Sequence, residues 1–507
     1  MKKVNVELRL SEDESTVFNK ALKKSGMSAK SVSDWRIAKK SVDARHKRDI
    51  KILYSVELYE GEQPEKPVYK PINEKKVIIV GAGPAGLSAA LFLARSGAEV
   101  IVIERGENVE TRSKTVERFF DGGSLDENSN VQFGEGGAGA FSDGKLNTQV
   151  NAPEIKFVLE DLVSFGAPKD ILYLNKPHIG SDRLPVTVAN MRKEIITLGG
   201  SFRFSEKVTG LIVKEKAVQG VVTDKGEYTA DAVVLAIGHS SRDTFNYLFS
   251  LGVNMESKEF AVGFRVEQLQ EVINRDRYGD NYKHPRLPAA DYKLVSHASD
   301  RAVFTFCMCP GGVVVPSASE QGHLVVNGMS NYARDGVNAN SAVICQVRKG
   351  DFGDGPLSGV GFQKAIERAA YQSIGGFVAP VQLAEDFISD VRSTRLKGVL
   401  PTYRRGFEFF ELKKLLPAPI CEALKKGLYD MDGKIKGFAS DGAVLTGVES
   451  RTSSPIRITR NEFFESVSHK NLYPCGEGCG YAGGIMSAMV DGIKVARAIA
   501  DRFSENK

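Results

Sequence analysis

The chain has 507 residues, 42% of them hydrophobic and 26% charged, with a formal net charge of +5. This excludes a disordered or fibrous chain, predicts two or three domains, and is too mild a charge to imply nucleic acid or membrane. Six cysteines in so long a chain exclude a disulfide framework.

The first residues, MKKVNVELRLSEDE, turn charged before an apolar run develops, unlike a secretory signal. Val4, Val6, Leu8 and Leu10 alternate with polar residues, as in a half-buried strand. Ser11 and Glu14 have capping-box spacing, with a helix expected over Val17, Phe18, Ala21 and Leu22 and a stop at Gly26. Trp35–Val42 and Ile50–Leu58 complete a small basic α+β unit, and three prolines mark Gly61–Asn73 as a linker. From Lys20 to Lys51 there are eleven Lys/Arg against three Asp/Glu, so the positive charge concentrates here. No RNA-binding motif accompanies it, and a basic face is usually solvated.

Val77–Val80 is a short apolar run suited to a buried parallel strand, and it leads straight into Gly81-x-Gly83-x-x-Gly86. The first glycine permits a tight turn, the second a close backbone approach to pyrophosphate, and the third packing of helix on strand. A helix to about Arg95, a stop at Gly97 and a second strand Val100–Ile103 follow. Glu104 comes 23 residues after Gly81, near the spacing of an acid that binds a ribose diol.

A glycine-rich stretch occupies Gly122–Gly144, and Gly134–Lys145 offers bare backbone for a pyrophosphate and a ring. Val208–Val222 and Thr229–Ile237 read as strands of a sheet. From about Phe245 to Ser440 the pattern becomes a long insert. Within it Ala302–Ser319 is uncharged but broken by Pro310, Gly311, Gly312 and Pro316, so no transmembrane segment is expected. Cys307-Met308-Cys309 is strand-like and reads as core packing, and the six cysteines show no zinc or iron–sulfur spacing. Gly359-Val360-Gly361 lacks a third glycine and a preceding apolar strand, so a second dinucleotide unit is not expected.

Three segments decide between dinucleotides, the Gly134–Lys145 loop being one. Ala232–Gly238 resembles the strand-and-glycine motif in the second half of FAD-binding folds. Tyr473–Gly478 with Ala482–Ala488 resembles the C-terminal flavin motif, in which an acid binds a ribityl hydroxyl and a helix start faces the pyrimidine edge of the isoalloxazine. The expected cofactor is therefore FAD, with no metal. Its binding set is Gly81, Gly83, Pro84, Ala85, Gly86, Glu104, Arg105, Gly137, Gly139, Lys145, Val208, Gly238, Gly476, Glu477, Gly483, Gly484 and Ile485.

Together with Gly136–Lys145, Arg392–Thr394, Pro401–Gly406, Glu449–Pro455 and Gly476–Ile485, the basic N-terminal extension resembles a family of FAD-dependent dehydrogenases whose substrate is unassigned. More distantly the chain is similar to fumarate reductase, geranylgeranyl reductase and bile-acid desaturase flavoproteins. Cys479 departs from that family, where a small residue such as Ala is expected. The resemblance implies a glutathione-reductase-like FAD fold of Rossmann type, an α/β class. An inserted α+β substrate domain is expected at 246–440, the N-terminal unit and linker at 1–70, and the two FAD-binding parts at 71–245 and 441–507.

The expected function is FAD-dependent oxidation or reduction of a small organic substrate by hydride transfer at flavin N5. NAD(P)H or a protein electron carrier would bind transiently, and a cytoplasmic location is expected. Flavin-assisted RNA modification and electron relay without a small substrate are the alternatives. His239, Arg265, Arg451 and Ser453 are the catalytic candidates, with Arg242, His323, Arg392, Tyr403 and Arg404 as further pocket candidates. Cys475 and Cys479 read as small buried residues beside the cofactor.

Overall fold

A computed structural model describes residues 1–61 and 67–505. Of the expected linker, residues 62–66 lie outside the described residues.

The N-terminal unit is an antiparallel sheet in the order Lys2–Arg9, Lys51–Tyr59, Asp34–Asp43, covered by helix Val17–Ser25. Val6, Leu8, Val17, Ala21, Ile52, Tyr54, Val56 and Leu58 form its core. The helix ends as expected at Gly26, whose φ of +72° suits glycine and whose N–H donates to the Leu22 carbonyl. Its start differs from expectation. Asp13, not Ser11, caps a one-turn 3-10 helix at Glu14–Thr16 by accepting from the Ser15 N–H at 2.8 Å. The unit is docked on the body: the Lys40 and Asn175 N–H groups bond to Tyr173 and Lys40 carbonyls, and Arg286 donates to the Leu10 carbonyl.

The central sheet is parallel, in the order Ser201–Arg203, Glu99–Ile103, Lys76–Val80, Ala232–Leu235, Leu472–Pro474. Numbered along the chain this is 3-2-1-4-5, the doubly wound order, and its switch point lies between the ends of Val80 and Leu235. Ligands bind such sheets in the crevice outside that point. Helices Pro84–Arg95 and Ile485–Glu505 pack tightly on one face, where Ser88 Oγ donates to the Met489 carbonyl at 2.8 Å. Gly492 permits this approach, since a Cβ there would strike Ala85 and Ser88.

Two sequence expectations change. Val208–Lys214, Ala217–Thr223 and Glu227–Thr229 form their own antiparallel sheet, whereas Ala232–Leu235 joins the parallel one. The inserted sheet also runs past 440. Its seven strands follow the order Val295–Ser296, Val303–Cys309, Asn338–Val347, Phe260–Leu269, Val444–Glu449, Ala379–Leu383, Phe407–Phe409. Val444–Glu449 is apolar enough to read as a strand of either sheet, and only its pairing with Phe260–Leu269 and Ala379–Leu383 assigns it.

Among the described residues no helix is long and apolar enough to cross a membrane, and no group of three or more His, Cys, Asp or Glu side chains is placed to hold a metal ion.

Candidate functional site

A cavity of about 350 Å³ opens at the switch point and extends to the inserted sheet. The Gly81 turn forms one end. Gly81 has φ +103°, and a Cβ there would run into the Ala236 carbonyl. Gly83 caps the helix that starts at Pro84, so unpaired helix N–H groups face the cavity. Gly86 sits against the Gly81 carbonyl and leaves no room for a side chain.

Glu104 lines this end. Its carboxylate accepts from the N–H groups of Ala82 (2.8 Å), Gly106 (2.9 Å) and Gly134 (3.0 Å). A carboxylate has about four acceptor positions, so one remains for a ligand hydroxyl. Arg105 lies beside it, paired with Asp243 at 3.0 Å and stacked over Phe133.

The glycine-rich loop is shaped by a residue that sequence reasoning missed. Arg112 is fully buried, and its guanidinium donates to the carbonyls of Asn130, Val131, Gly134, Glu135 and Gly137 at 2.7–3.2 Å. Burial pushes it down to about 10, against Glu104 and Glu135. A clue was present, since Val109, Arg112, Val116 and Phe119 share the inward face of one helix. Glu135 is equally buried and accepts from Val109 N–H and Arg192, and burial pushes its carboxyl up to about 7. Gly137, Gly139 and Lys145 line the cavity beyond, as does Val208 on its other side.

At the far end Gly238, Gly483 and Gly484 are exposed and have open space where a Cβ would stand. Gly476 and Ile485 complete the wall, and Ile485 begins the last helix. Glu477 also lines the cavity, and its carboxylate has no hydrogen-bond partner among the described residues. Desolvation pushes it up to about 7, with Lys258 opposing. A bare-backbone cradle and an unpartnered acid are what a dinucleotide with hydroxyls and a flat ring would satisfy.

The catalytic candidates separate. His239 and Arg451 line the cavity; Arg265 and Ser453 do not. Arg265 is fully buried and spends its guanidinium on Glu449, the Cys307 carbonyl, Asn340 and Asn327, which leaves it no role as a substrate clamp. Arg451 shares the buried carboxylate of Glu367 with Arg242, at 2.9 Å and 2.7 Å, and also donates to Ser240 and Ser319. The two guanidinium groups hold Glu367 well below its ordinary value despite burial. His239 is pushed down to about 3 by desolvation and by Arg451 and Arg242, so its ring is neutral. Tyr403 donates to the Phe377 carbonyl, Arg404 pairs with Glu117 and Asp121, His323 bonds the Gln321 carbonyl, and Arg392 is exposed.

The buried Cys475 and Cys479 fit the packing reading: Cys479 donates to the Leu235 carbonyl, and burial pushes both thiols up. Cys307 does not fit it. It lines the cavity rather than the core.

Residues 75–248 match a family described as pyridine nucleotide-disulphide oxidoreductase, and residues 259–452 one described as FAD-dependent protein, C-terminal domain-like. Residues 1–59 match a domain of unknown function. An uncharacterized protein of Clostridium beijerinckii is 47% identical over 98% of both chains. The chain belongs to that protein's family, a family of FAD-dependent oxidoreductases. Protein FixC of Escherichia coli is 30% identical to the flavoprotein over 40% of this chain and 45% of its own. Aklavinone 12-hydroxylase DnrF of Streptomyces peucetius is 30% identical over 35% and 37%. For FixC and DnrF the match spans less than half of the relative. Among solved structures, FqzB aligns with 87% of this chain and 79% of its own at 14% identity and a TM-score of 0.38.

Proposed function

We propose that the flavoprotein is a dehydrogenase or reductase that acts on a small organic substrate at the flavin N5. The observation that carries this reading is one cavity with two kinds of wall. Gly81, Glu104, Gly137, Gly238, Glu477 and Gly484 suit a dinucleotide, and Phe306, Asn327, Glu449 and Thr452 of the insert suit a substrate beside it.

FAD, when bound, supplies a two-electron acceptor or donor for hydride transfer. The residues of the chain bind and tune it. The Gly81–Gly86 turn and the helix start at Pro84 would hold the pyrophosphate, and the remaining acceptor position of Glu104 the adenosine ribose. Glu477 would accept from a ribityl hydroxyl. The N–H groups at Gly484 and Ile485 would hold negative charge at the pyrimidine edge. His239 acts as a neutral hydrogen-bonding group, and Arg451 orients it through Ser240, which His239 meets at 3.1 Å.

With one dinucleotide turn in the sequence, NAD(P)H or a protein carrier would visit rather than reside. In the N-terminal unit Lys20, Arg36, Lys40 and Arg45 pair with Glu12, Glu57, Glu14 and Asp43, so this reading assigns it no nucleic acid.

The test is anaerobic mixing of the holoprotein with NADH, NADPH and a panel of small acids, alcohols and amines. Bleaching of the flavin absorbance by a small molecule is the expected result. A flavin that exchanges electrons only with protein carriers would replace this reading with an electron relay.

A further inference from the structure

Cys307 and Cys309 stand two apart on the strand Val303–Cys309, yet the structure gives them different surroundings. Cys307 is half-buried and lines the cavity with Lys145, Glu477 and Ile485, whereas Cys309 is fully buried behind it. Cys307 has φ +43°, a left-handed conformation that a residue with a Cβ rarely adopts. The ladder to Asn338–Val347 shifts register between Phe306 and Cys309 at this point. Buried groups hold the distortion: Arg265 donates to the Cys307 carbonyl at 2.9 Å while paired with Glu449, and the Cys309 thiol donates to that carbonyl at 3.3 Å. Such strain persists only where surrounding structure enforces it.

The two thiols are also unequal. Neighbouring Cys309, then Lys145 and Arg265, lower the Cys307 thiol well below its ordinary value against its own desolvation. Neighbouring Cys307 and burial push Cys309 up. A cavity-facing thiol that ionises more readily, backed by a buried thiol that ionises less readily, is the arrangement of an attacking and a resolving cysteine.

We propose that Cys307 and Cys309 form a redox-active dithiol that exchanges two electrons with FAD bound in the adjoining cavity. It rests on the FAD reading of that cavity. In the oxidising direction both thiols lose their protons and one S–S bond forms. Two electrons and one proton pass to the isoalloxazine, and the second proton leaves to solvent. Reduced flavin reverses the step, so each chain stores four electrons. In air, dioxygen accepts electrons from the flavin and leaves the pair as a disulfide.

The experiment is an anaerobic dithionite titration of aerated holoprotein, with samples taken before and after, acid-quenched, unfolded, labelled with maleimide and mapped by peptide mass. The aerated protein is expected to take up four electrons per FAD. Cys307 and Cys309 should be joined before reduction and labelled after it, with the other four cysteines labelled throughout. Cys307→Ser and Cys309→Ser should each take up two electrons. Where these variants fail to fold, the wild-type stoichiometry and labelling decide. A yellow protein that takes up two electrons with both thiols already free overturns the dithiol alone, as does a disulfide that survives full flavin reduction. A protein that binds no FAD overturns the cofactor reading as well.

Discussion

Gly81 and Ala236 meet at the switch point so closely that the Ala236 carbonyl occupies the place of a Cβ on residue 81. The contact joins the first and fourth strands of the parallel sheet at the mouth of the cavity, and the φ of +103° is itself unfavourable for any other residue.

Gly81→Ala is therefore expected to displace the turn. The strain alone is about 1–3 kcal/mol, and FAD content should fall at least tenfold. Flavin-to-protein ratio after gel filtration, with a thermal melt, measures both. Full flavin occupancy would contradict the assignment of this turn to the cofactor.

Arg112→Lys is expected to collapse the glycine-rich loop. Lysine keeps the charge but cannot reach five carbonyls from one planar fork, and buried carbonyls left unpaired cost on the order of 1–3 kcal/mol each. Urea unfolding should show a loss on the order of 3 kcal/mol, and limited proteolysis should cut between Asn130 and Gly139. Wild-type stability would mean that the loop holds itself.

His239 gives a pH dependence. Its folded value is depressed to about 3 from an ordinary 6.5, so the unfolded chain takes up a proton that the folded one refuses. Stability is present above pH 6.5 and is lost as pH falls from there toward 3. The slope from this residue is at most about 1.4 kcal/mol per pH unit. His239→Gln should remove that share between pH 6.5 and 4.5. Below 4.5 the depressed carboxyl of Glu367 adds its own loss. Chemical denaturation at several pH values checks both windows.

Glu477 has the opposite sign. Its folded value is raised to about 7 from 4.5, so in FAD-free protein its contribution is fully present below 4.5 and lost as pH rises through 7. Glu477→Gln should stabilise the FAD-free protein at pH 8 by roughly 1–3 kcal/mol. The same change should weaken FAD retention, because a ribityl hydroxyl would lose a charged acceptor. Tighter FAD binding by the variant would remove Glu477 from the proposed set.

The sequence by itself determined the dinucleotide unit. Strand, turn and helix at Val77–Arg95 are written in local chemistry: an apolar run, glycines where the backbone must turn or approach, and a stop at Gly97. The helix start at Ile485 and the small N-terminal unit were legible for the same reason.

Only the tertiary structure decided what the charged and sulfur-bearing residues do. Arg265 and Arg451 stood as catalytic candidates until Glu449, Asn327 and Asn340 were found around the first and Glu367 between the second and Arg242. Arg112 lay hidden among surface-type residues. Cys307 looked like core until the register shift and its left-handed backbone placed it on the cavity. Burial and partners of such groups depend on contacts as far apart as Arg451 and Ser240, 211 residues, and local spacing does not record them.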